Sequence, residues 1–323
     1  MKRTGFFAIV GRPNVGKSTL LNNILGEKIA IVSSKPQTTR GRILGIETRG
    51  EDQFVFIDTP GIFNARNSLG DYMVKVATGS MQDGDAVILV ADAAFRPGDV
   101  EERVIDRLKR AEIPAILALN KVDLCRREQI AETIAAYAAL HDFAAVVPIS
   151  AKNGKNVDEL LDECRHFMHE GDWIFEEDMI TDQTQRQLAS EIIREKILRT
   201  VDREIPHGIA VVIEEYKEED SLTRIRAEIF CEKESHKGIL VGKNGETLNL
   251  DQKIGEVELV AGESVEQSQI LAVWEKVRGF LSSPWFYAGI GLLVGLLVLY
   301  IILNIVHNRN RRKNNMQKVK KYK

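Results

Sequence analysis

The sequence predicts an α/β domain over residues 1–170, a smaller α+β domain over residues 186–250, and one C-terminal transmembrane helix. Between residues 5 and 170, five β-type apolar runs alternate with helical stretches, which predicts a parallel sheet covered by helices. An amphipathic helical pattern and two β-like runs follow. Residues 286–306 are apolar apart from Asn304 and span about 31 Å as a helix, enough to cross a bilayer once.

The composition is that of a soluble protein with two domains. The chain has 323 residues, a formal net charge of −3 and 28% charged residues. The N-terminal apolar run, about six residues long, is too short for a secretory signal, so we expect a cytoplasmic chain. Three widely separated cysteines argue against a disulfide framework and a zinc site.

A glycine-rich loop lies between the first strand-like run, FFAIV, and the helical stretch that begins at Ser18. Its sequence, GRPNVGKS, fits the phosphate-binding loop in the position where its chemistry works. Glycines let backbone N–H groups turn onto phosphates, Lys17 bridges the outer phosphates and Ser18 binds Mg²⁺. The nucleotide contacts predicted from this loop are Gly11, Asn14, Val15, Gly16, Lys17, Ser18 and Thr19.

Two further segments predict the metal and γ-phosphate side of this site. Asp58-Thr-Pro-Gly61 ends the strand QFVFI, where Asp58 can hold the metal through water and the Gly61 N–H can meet the γ-phosphate. The QTTR segment can supply a threonine hydroxyl to Mg²⁺, for which we prefer Thr39 and keep Thr38 as the alternative. The predicted metal ligands are therefore Ser18, Thr39 and Asp58, and the predicted catalytic residues are Lys17, Thr39 and Gly61.

Two more strand ends predict the base. In Asn120-Lys121-Val122-Asp123, the Asp123 carboxylate can accept two hydrogen bonds from N1 and N2 of guanine, a donor pair that adenine lacks. In Ser150-Ala151-Lys152, the Ala151 N–H can donate to the guanine O6. Since the carboxyl ends of parallel strands meet at one edge of a sheet, these elements form one site for GTP or GDP. The predicted activity is GTP hydrolysis through positioning and charge stabilisation, with no protein group acting as the base.

The motifs GRPNVGKSTL, QTTR, DTPGI, NKVD and SAK, followed by ITDQTQRQLASEIIREKI, resemble the Era family of bacterial ribosome-assembly GTPases over about residues 5–248. The resemblance implies an α/β P-loop GTPase domain joined to an α+β KH-like RNA-binding domain. It also implies a GTP/GDP switch that binds 16S rRNA and the small ribosomal subunit. The KH loop that grips the RNA backbone would be Gly242, Lys243, Asn244 and Gly245.

Two residues of the site bear on the rate of hydrolysis. After DTPG the family has a hydrophobic residue, here Ile62, where many GTPases carry a glutamine that orients the attacking water, so we expect slow intrinsic hydrolysis. Related GTPases with this loop seat a K⁺ ion in place of an arginine finger, and by this resemblance Asn14 is a hypothetical K⁺ ligand. Mg²⁺ and, as this hypothesis, K⁺ are the predicted cofactors.

The C-terminal part departs from the family pattern. A KH domain of this type continues past Gly245 with a long basic helix and a final strand, whereas the run EVELV is strand-like, so we expect an incomplete KH-like domain. The predicted segments are a linker at 171–185, a strand-like stalk at 251–284, the transmembrane helix at 285–306 and a basic tail at 307–323. From about Asp251 the chain resembles the stalk and anchor of D-alanyl-D-alanine carboxypeptidases, without the enzyme.

The transmembrane helix and the basic tail predict anionic membrane lipid as a further partner. The eight lysines and arginines of the tail favour contact with anionic lipid and a cytoplasmic C-terminus. With a single span, a cytoplasmic C-terminus would place the GTPase domain outside the cell, whereas GTP and ribosomes are inside. The sequence therefore leaves two alternatives to a ribosome-assembly GTPase. One is a regulatory GTPase tethered to the cytoplasmic face of the cell membrane with RNA binding lost, and the other is a composite chain fused to a carboxypeptidase-like anchor.

Overall fold

The computed structural model of the chain describes residues 1–33, 35, 38–63, 68–200, 209–219, 222–231, 240 and 258–260. All of them belong to one compact unit, Met1–Gly262. The predicted KH loop at 242–245, the transmembrane helix at 285–306 and the basic tail at 307–323 lie outside the described residues, as does most of the predicted stalk.

A sheet of seven strands lies in the described part of the first domain. The strands are β1 Arg3–Val10, β2 Ile43–Arg49, β3 Asp52–Asp58, β4 Ala86–Asp92, β5 Ala115–Asn120, β6 Ala145–Pro148 and β7 His169–Glu170. Parallel pairing joins β3, β1, β4, β5 and β6 side by side. The strand β2 lies at one edge of the sheet and is antiparallel to β3, while β7 is antiparallel to the start of β1. The helices are α1 Lys17–Leu25, α2 Ser68–Ser80, α3 Asp99–Ala111, α4 Arg127–Ala138 and α5 Val157–Arg165.

Two apolar cores account for the continuous apolar strands. One core contains side chains of α1 and α5, such as Leu21 and Leu160, with alternate residues of β1 and β3. The other contains side chains of α3 and α4, such as Val104 and Tyr137, with the remaining residues of β1 and β4. Because the strands are covered on both faces, they read as apolar runs without polar alternation, which is typical of parallel sheets. The predicted α/β domain is confirmed.

The linker between the two domains is anchored along the edge of the sheet. The Ile46 N–H donates to the Ile180 carbonyl at 2.8 Å, and the Thr181 hydroxyl donates to the Leu44 carbonyl at 2.7 Å. The fully buried Gln53 side chain bonds the backbone of residues 174 and 175. The sequence showed no period here because these contacts use backbone and single side chains rather than a repeating face.

The described part of the second domain contains a long helix and a small sheet. They comprise α6 Gln185–Thr200, β8 Ile209–Glu219, β9 Leu222–Cys231 and β10 Glu258–Val260. The strands β8 and β9 are antiparallel, and Ile193 and Ile197 of α6 share an apolar core with Ile209 and Ala227. These elements confirm the predicted helix and the two predicted strands.

The third strand of this sheet changes the interpretation of the C-terminal part. The predicted strand-like run EVELV contains β10, which pairs parallel with β9. Residues 258–260 therefore belong to the sheet of the second domain, although the sequence interpretation placed them in a separate stalk at 251–284. As for the membrane, none of the helices within the described ranges has the length and apolar character needed to span a bilayer.

Candidate functional site

The loop between β1 and α1 wraps a cavity of about 350 Å³ at the carboxyl edge of the larger sheet. Gly11 and Gly16 have φ values of 148° and 103°, in the region that favours glycine. A Cβ on Gly11 would lie 2.2 Å from the Val90 carbonyl oxygen, and one on Gly16 would lie 2.3 Å from Asn120 Nδ2. The loop can therefore follow this path only with glycine at both positions.

The Lys17 side chain lies across the inside of this loop. It is 6% exposed, and its Nζ donates to the Gly11 carbonyl at 3.1 Å and to the Arg12 carbonyl at 2.8 Å. Burial lowers the pKa of Lys17 to about 8, and the negative charge of Asp58 partly opposes this shift. The ammonium is thus held beside the cavity, where a phosphate would compensate its loss of water.

The side-chain oxygens of Ser18, Thr39 and Asp58 lie close together near Lys17. Ser18 Oγ donates to Asp58 Oδ2 at 2.7 Å and lies 3.1 Å from Thr39 Oγ1. Asp58 is fully buried, and its Oδ1 has no hydrogen-bond partner among the residues that the structure describes. Burial raises the pKa of Asp58 to about 6, against the opposing effects of Lys17 and Ser18. Hydroxyl and carboxylate oxygens are what Mg²⁺ prefers, so these residues fit the metal.

The two threonines of the QTTR segment are placed differently. Thr39 is 7% exposed and faces Ser18, whereas the Thr38 hydroxyl donates to the Lys35 carbonyl at 2.6 Å. The structure therefore brings Thr39, the preferred residue, to the predicted metal site.

The DTPG turn lies against the phosphate loop. A Cβ on Gly61 would be 2.7 Å from the backbone nitrogen of Pro13, and the Ile62 N–H donates to the Gly11 carbonyl at 3.0 Å. The Ile62 side chain is 6% exposed and packs in the core with Ala77 and Met81. Its side chain is therefore an anchor for the turn and does not replace the water-orienting glutamine.

Asn120 connects three parts of the site. Its Nδ2 donates to the Val15 carbonyl at 2.8 Å, and its Oδ1 accepts hydrogen bonds from the N–H groups of Lys121 at 2.7 Å and Ala151 at 2.8 Å. The expected free Ala151 N–H for the guanine O6 thus donates to Asn120 in this structure. Sequence spacing cannot reveal such a bond, because it joins residues from two different strand ends.

The remaining predicted residues of the base side lie more openly. Lys121 Nζ donates to the Asn14 carbonyl at 2.8 Å and pairs with Asp92 Oδ2 at 2.7 Å. Asp123 and Lys152 are exposed, and the Ser150 Oγ is buried without a hydrogen-bond partner within the described part of the chain. Asp123 is accessible to a base, and no hydrogen bond or ion pair among the described residues fixes its carboxylate.

Sequence reasoning missed two contributors to the site. Asp92, at the end of β4, pairs with Lys121. Asn22 on α1 accepts hydrogen bonds at Oδ1 from the N–H groups of Ile29 and Ala30, and its Nδ2 donates to the Ala30 carbonyl. Neither belongs to a nucleotide-binding motif. The position of Asp92 at a strand end on the same edge of the sheet was the one signal available.

Three features lie together at the carboxyl edge of the parallel sheet: a phosphate loop that requires glycine, a buried lysine, and a cluster of oxygen atoms suited to Mg²⁺. Together they define a P-loop nucleotide-binding protein. Residues 6–121 match the family model described as a 50S ribosome-binding GTPase, and residues 204–278 match the family model of the KH domain. GTPase Era of Ruminiclostridium cellulolyticum is 45% identical over 278 residues, which cover 85% of this chain and 92% of that protein. The chain belongs to the Era family of GTPases.

Further relatives and solved structures agree with this assignment. GTPase Era of Clostridium acetobutylicum is 45% identical over 295 residues, covering 90% of this chain and 98% of that protein. The crystal structure of an Aquifex aeolicus Era variant bound to GDP·AlF4⁻ matches with a TM-score of 0.76 at 37% identity, covering 80% of this chain and 93% of that chain. Era in complex with MgGDPNP and nucleotides 1506–1542 of 16S ribosomal RNA matches with the same TM-score and identity, covering 81% of this chain and 93% of that chain.

These matches also bear on the C-terminal part. The KH-domain match ends at residue 278, beyond residue 250, where the sequence interpretation ended the second domain. The comparisons give no support to the expected likeness of the C-terminal segment to a carboxypeptidase anchor, nor to a membrane span.

Proposed function

We propose that this chain is a GTPase that binds 16S rRNA and the small ribosomal subunit during ribosome assembly. The observation that carries the proposal is the convergence of the Ser18, Thr39 and Asp58 oxygens beside a buried lysine, in a chain whose second part matches the KH domain. A relative of the same family has been solved with both MgGDPNP and 16S rRNA nucleotides, which supports both ligands for this chain.

The roles of the site residues follow from their positions. We propose Ser18, Thr39 and Asp58 as the Mg²⁺ ligands, with Asp58 acting through water. Lys17 and the Gly61 N–H would stabilise charge on the γ-phosphate, and Mg²⁺, when bound, would neutralise charge on the phosphate oxygens. The phosphate-loop contacts would come from residues 11 and 14–19, and the base contacts from Asn120, Lys121, Asp123, Ser150, Ala151 and Lys152.

We further propose that the KH-like domain is longer than the sequence suggested and continues past residue 250. The pairing of β10 with β9 and the extent of the KH-domain match support this boundary. The RNA loop would remain Gly242, Lys243, Asn244 and Gly245. The cytoplasm is the proposed location, and attachment to membrane lipid has no support in the described residues.

The proposal is tested by measuring GTP hydrolysis and the binding of labelled 16S rRNA 3′-end RNA by the full chain. Replacing Lys243 and Asn244 together by aspartate would place negative charge against the RNA backbone, so RNA binding should fall by at least tenfold while GTP hydrolysis persists. Lys155, an exposed lysine of the first domain, provides a matched control as Lys155→Asp. RNA binding that is equal in the variant and the control would contradict the KH assignment.

The base is tested separately with Asp123→Ala. Removing the carboxylate should weaken GTP binding by at least tenfold, because the N1 and N2 donors of guanine lose their acceptor. ATP binding, weak from the start, should not change. Equal binding of GTP by the variant and the unaltered chain would contradict the proposed role of Asp123.

K⁺ is a second proposed cofactor. Asn14 lines the phosphate cavity, and its backbone has a φ of 65°. This position supports close contact between Asn14 and an ion bound beside the phosphates. Hydrolysis should therefore be several-fold faster in KCl than in NaCl at equal ionic strength, and Asn14→Ala should remove the difference. Equal rates in the two salts would exclude the role of K⁺.

A further inference from the structure

Residues 28–33 and 38–40, called the switch segment here, lie between α1 and β2 and include Thr39, and the helix α6 of the second domain contacts them. The helix contacts this segment near both of its ends. Glu195 bonds the beginning of the segment, and Arg194 bonds its end. A residue pair outside the GTPase domain therefore holds the part of the chain that supplies a predicted Mg²⁺ ligand.

The first contact is a buried carboxylate with several partners. Glu195 is 0% exposed, and its Oε1 accepts hydrogen bonds from the Val32 N–H at 3.1 Å and from Arg199 at 2.8 Å. Its Oε2 pairs with Lys28 Nζ. Arg199 also donates to the Val32 carbonyl at 3.2 Å. This end of the switch segment is fixed to α6 at Val32, which also lines the phosphate cavity.

The second contact lies next to the nucleotide site. Arg194 Nη2 donates to the Thr38 carbonyl at 2.5 Å, and the guanidinium is oriented by Glu191, which accepts from Nε at 2.9 Å and from Nη2. On the far side of Thr39, Arg40 Nη1 donates to the Ile209 carbonyl of β8 at 2.7 Å. Thr39 thus lies between two hydrogen bonds to the second domain, one accepted by the Thr38 carbonyl and one donated by the Arg40 side chain.

Holding the Thr38 carbonyl has a direct consequence for Thr39. The Thr38 carbonyl and the Thr39 N–H belong to the same planar peptide unit, so fixing the carbonyl fixes the plane from which Thr39 begins. Thr39 Oγ1 lies 3.1 Å from Ser18 Oγ in this arrangement. We propose that Arg194 is a positioning residue for GTP binding and hydrolysis, which holds the Thr39 hydroxyl where it joins Ser18 and Asp58 around Mg²⁺. The proposal rests on the proposed function.

The burial of Arg194 supports a role beyond packing. The residue is 3% exposed, yet its Nη1 has no hydrogen-bond partner among the described residues. A buried guanidinium with an unsatisfied donor is unfavourable for stability, and an apolar side chain would fill the same space without that penalty. The hydrogen bond to Thr38 gives a reason for arginine at this position.

The test compares nucleotides that do and do not engage Thr39. In full-length Arg194→Gln, the affinity for GDPNP in Mg²⁺ should fall about tenfold, while the affinity for GDP should change less than twofold, because Thr39 binds the metal only when the γ-phosphate is present. The value of kcat for GTP should fall with it. Arg194→Lys keeps the charge but cannot bond Glu191 and Thr38 together, so it should restore only part of the loss.

The control is Arg199→Gln on the same helix. This variant removes a guanidinium that contacts the other end of the switch segment, so it should lower the unfolding temperature and leave the ratio of GDPNP to GDP affinity within twofold of the unaltered chain. If Arg194→Gln does not fold, Glu191→Gln on the partially exposed partner should shift the same ratio about threefold in the same direction.

The outcomes separate this inference from the proposed function. An unchanged affinity ratio in Arg194→Gln, or an equal loss for both nucleotides, would overturn the positioning role alone. An unaltered chain that bound neither nucleotide would overturn the proposed function and this inference with it.

Discussion

At the scale of single residues, the site places two buried charges side by side and leaves each incompletely compensated. Burial shifts the pKa of Lys17 down to about 8 and the pKa of Asp58 up to about 6. Each group therefore favours its neutral form more than it does in water. A phosphate beside Lys17 and a cation beside Asp58 would stabilise the two buried charges. The site therefore favours ligand binding and lowers the stability of the ligand-free protein.

Asp58→Asn tests this conflict between stability and binding. The raised pKa means that the folded protein binds this proton more tightly than the unfolded chain, so the stability contributed by the group is present below about pH 4 and is lost as the pH rises to about 6. At pH 7.5 without nucleotide, Asp58→Asn should therefore raise the free energy of unfolding by about 3 kcal/mol. The dependence of that free energy on pH between 4 and 6 should become flatter.

The measurement is urea unfolding of the nucleotide-free protein in chelator at several pH values. Asp92→Asn is the matched control, because that carboxylate lies at the end of β4, on the same edge of the sheet. In the presence of Mg²⁺, Asp58→Asn should also lose most of its GDPNP affinity. A variant that is less stable than the unaltered chain at pH 7.5 would contradict the conclusion that burial penalises Asp58.

At the scale of elements, the linker is held by a side chain from inside the sheet. Gln53 of β3 is 0% exposed, donates to the Phe175 carbonyl at 2.9 Å and accepts from the N–H groups of Ile174 and Phe175 at 3.0 Å each. One amide therefore satisfies three backbone groups of the linker. Buried backbone groups that lose such partners are expensive, so Gln53 determines where the linker lies.

Gln53→Leu should lower the free energy of unfolding by about 2–3 kcal/mol, because the leucine fills the space but leaves those backbone groups without partners. Gln82→Leu, at an exposed position, controls for the change of an amide to an apolar side chain and should have an effect below about 0.5 kcal/mol. Chemical denaturation compares the two variants. Equal stabilities would show that the linker does not depend on Gln53.

At the scale of the whole molecule, the second sheet is completed by a strand that is distant in sequence. The strand β10 joins β9 after a separation of 26 residues, from Cys231 to Glu258. Within the described residues the sheet therefore has three strands, whereas a hairpin of two strands is only marginally stable in water.

A chain that ends at residue 250 should therefore lose RNA binding, while a chain that ends at residue 280, past the KH-domain match, should keep it. Both should hydrolyse GTP, because the site lies in the first domain. RNA binding and the unfolding transition of the second domain provide the readouts. Equal RNA binding by the two truncated chains would restore the interpretation that the second domain ends at residue 250.

The sequence predicted the elements of the site better than the contacts between them. The phosphate loop, DTPG and NKVD each end or follow a strand, so local patterns were sufficient to place them at one edge of the sheet. The contacts of Arg194 with Thr38 and of Asn120 with Ala151 join residues distant in sequence, and no local pattern encodes them. The strand β10 was recognised as strand-like, but its partner was not, because alternation gives the conformation of a strand and not its neighbour.

The anchored linker also changes where the chain can be divided into modules. Its backbone pairs with β2, the end strand of the larger sheet, and covers part of an edge that would otherwise be open to pairing with another chain. Residues 171–181 therefore belong structurally to the first domain, although they precede the second, whereas Thr184 already bonds Gln187 in the first turn of α6. Any exchange of the RNA-binding part, by recombination or by design, would leave a protected sheet only if the junction fell after residue 181.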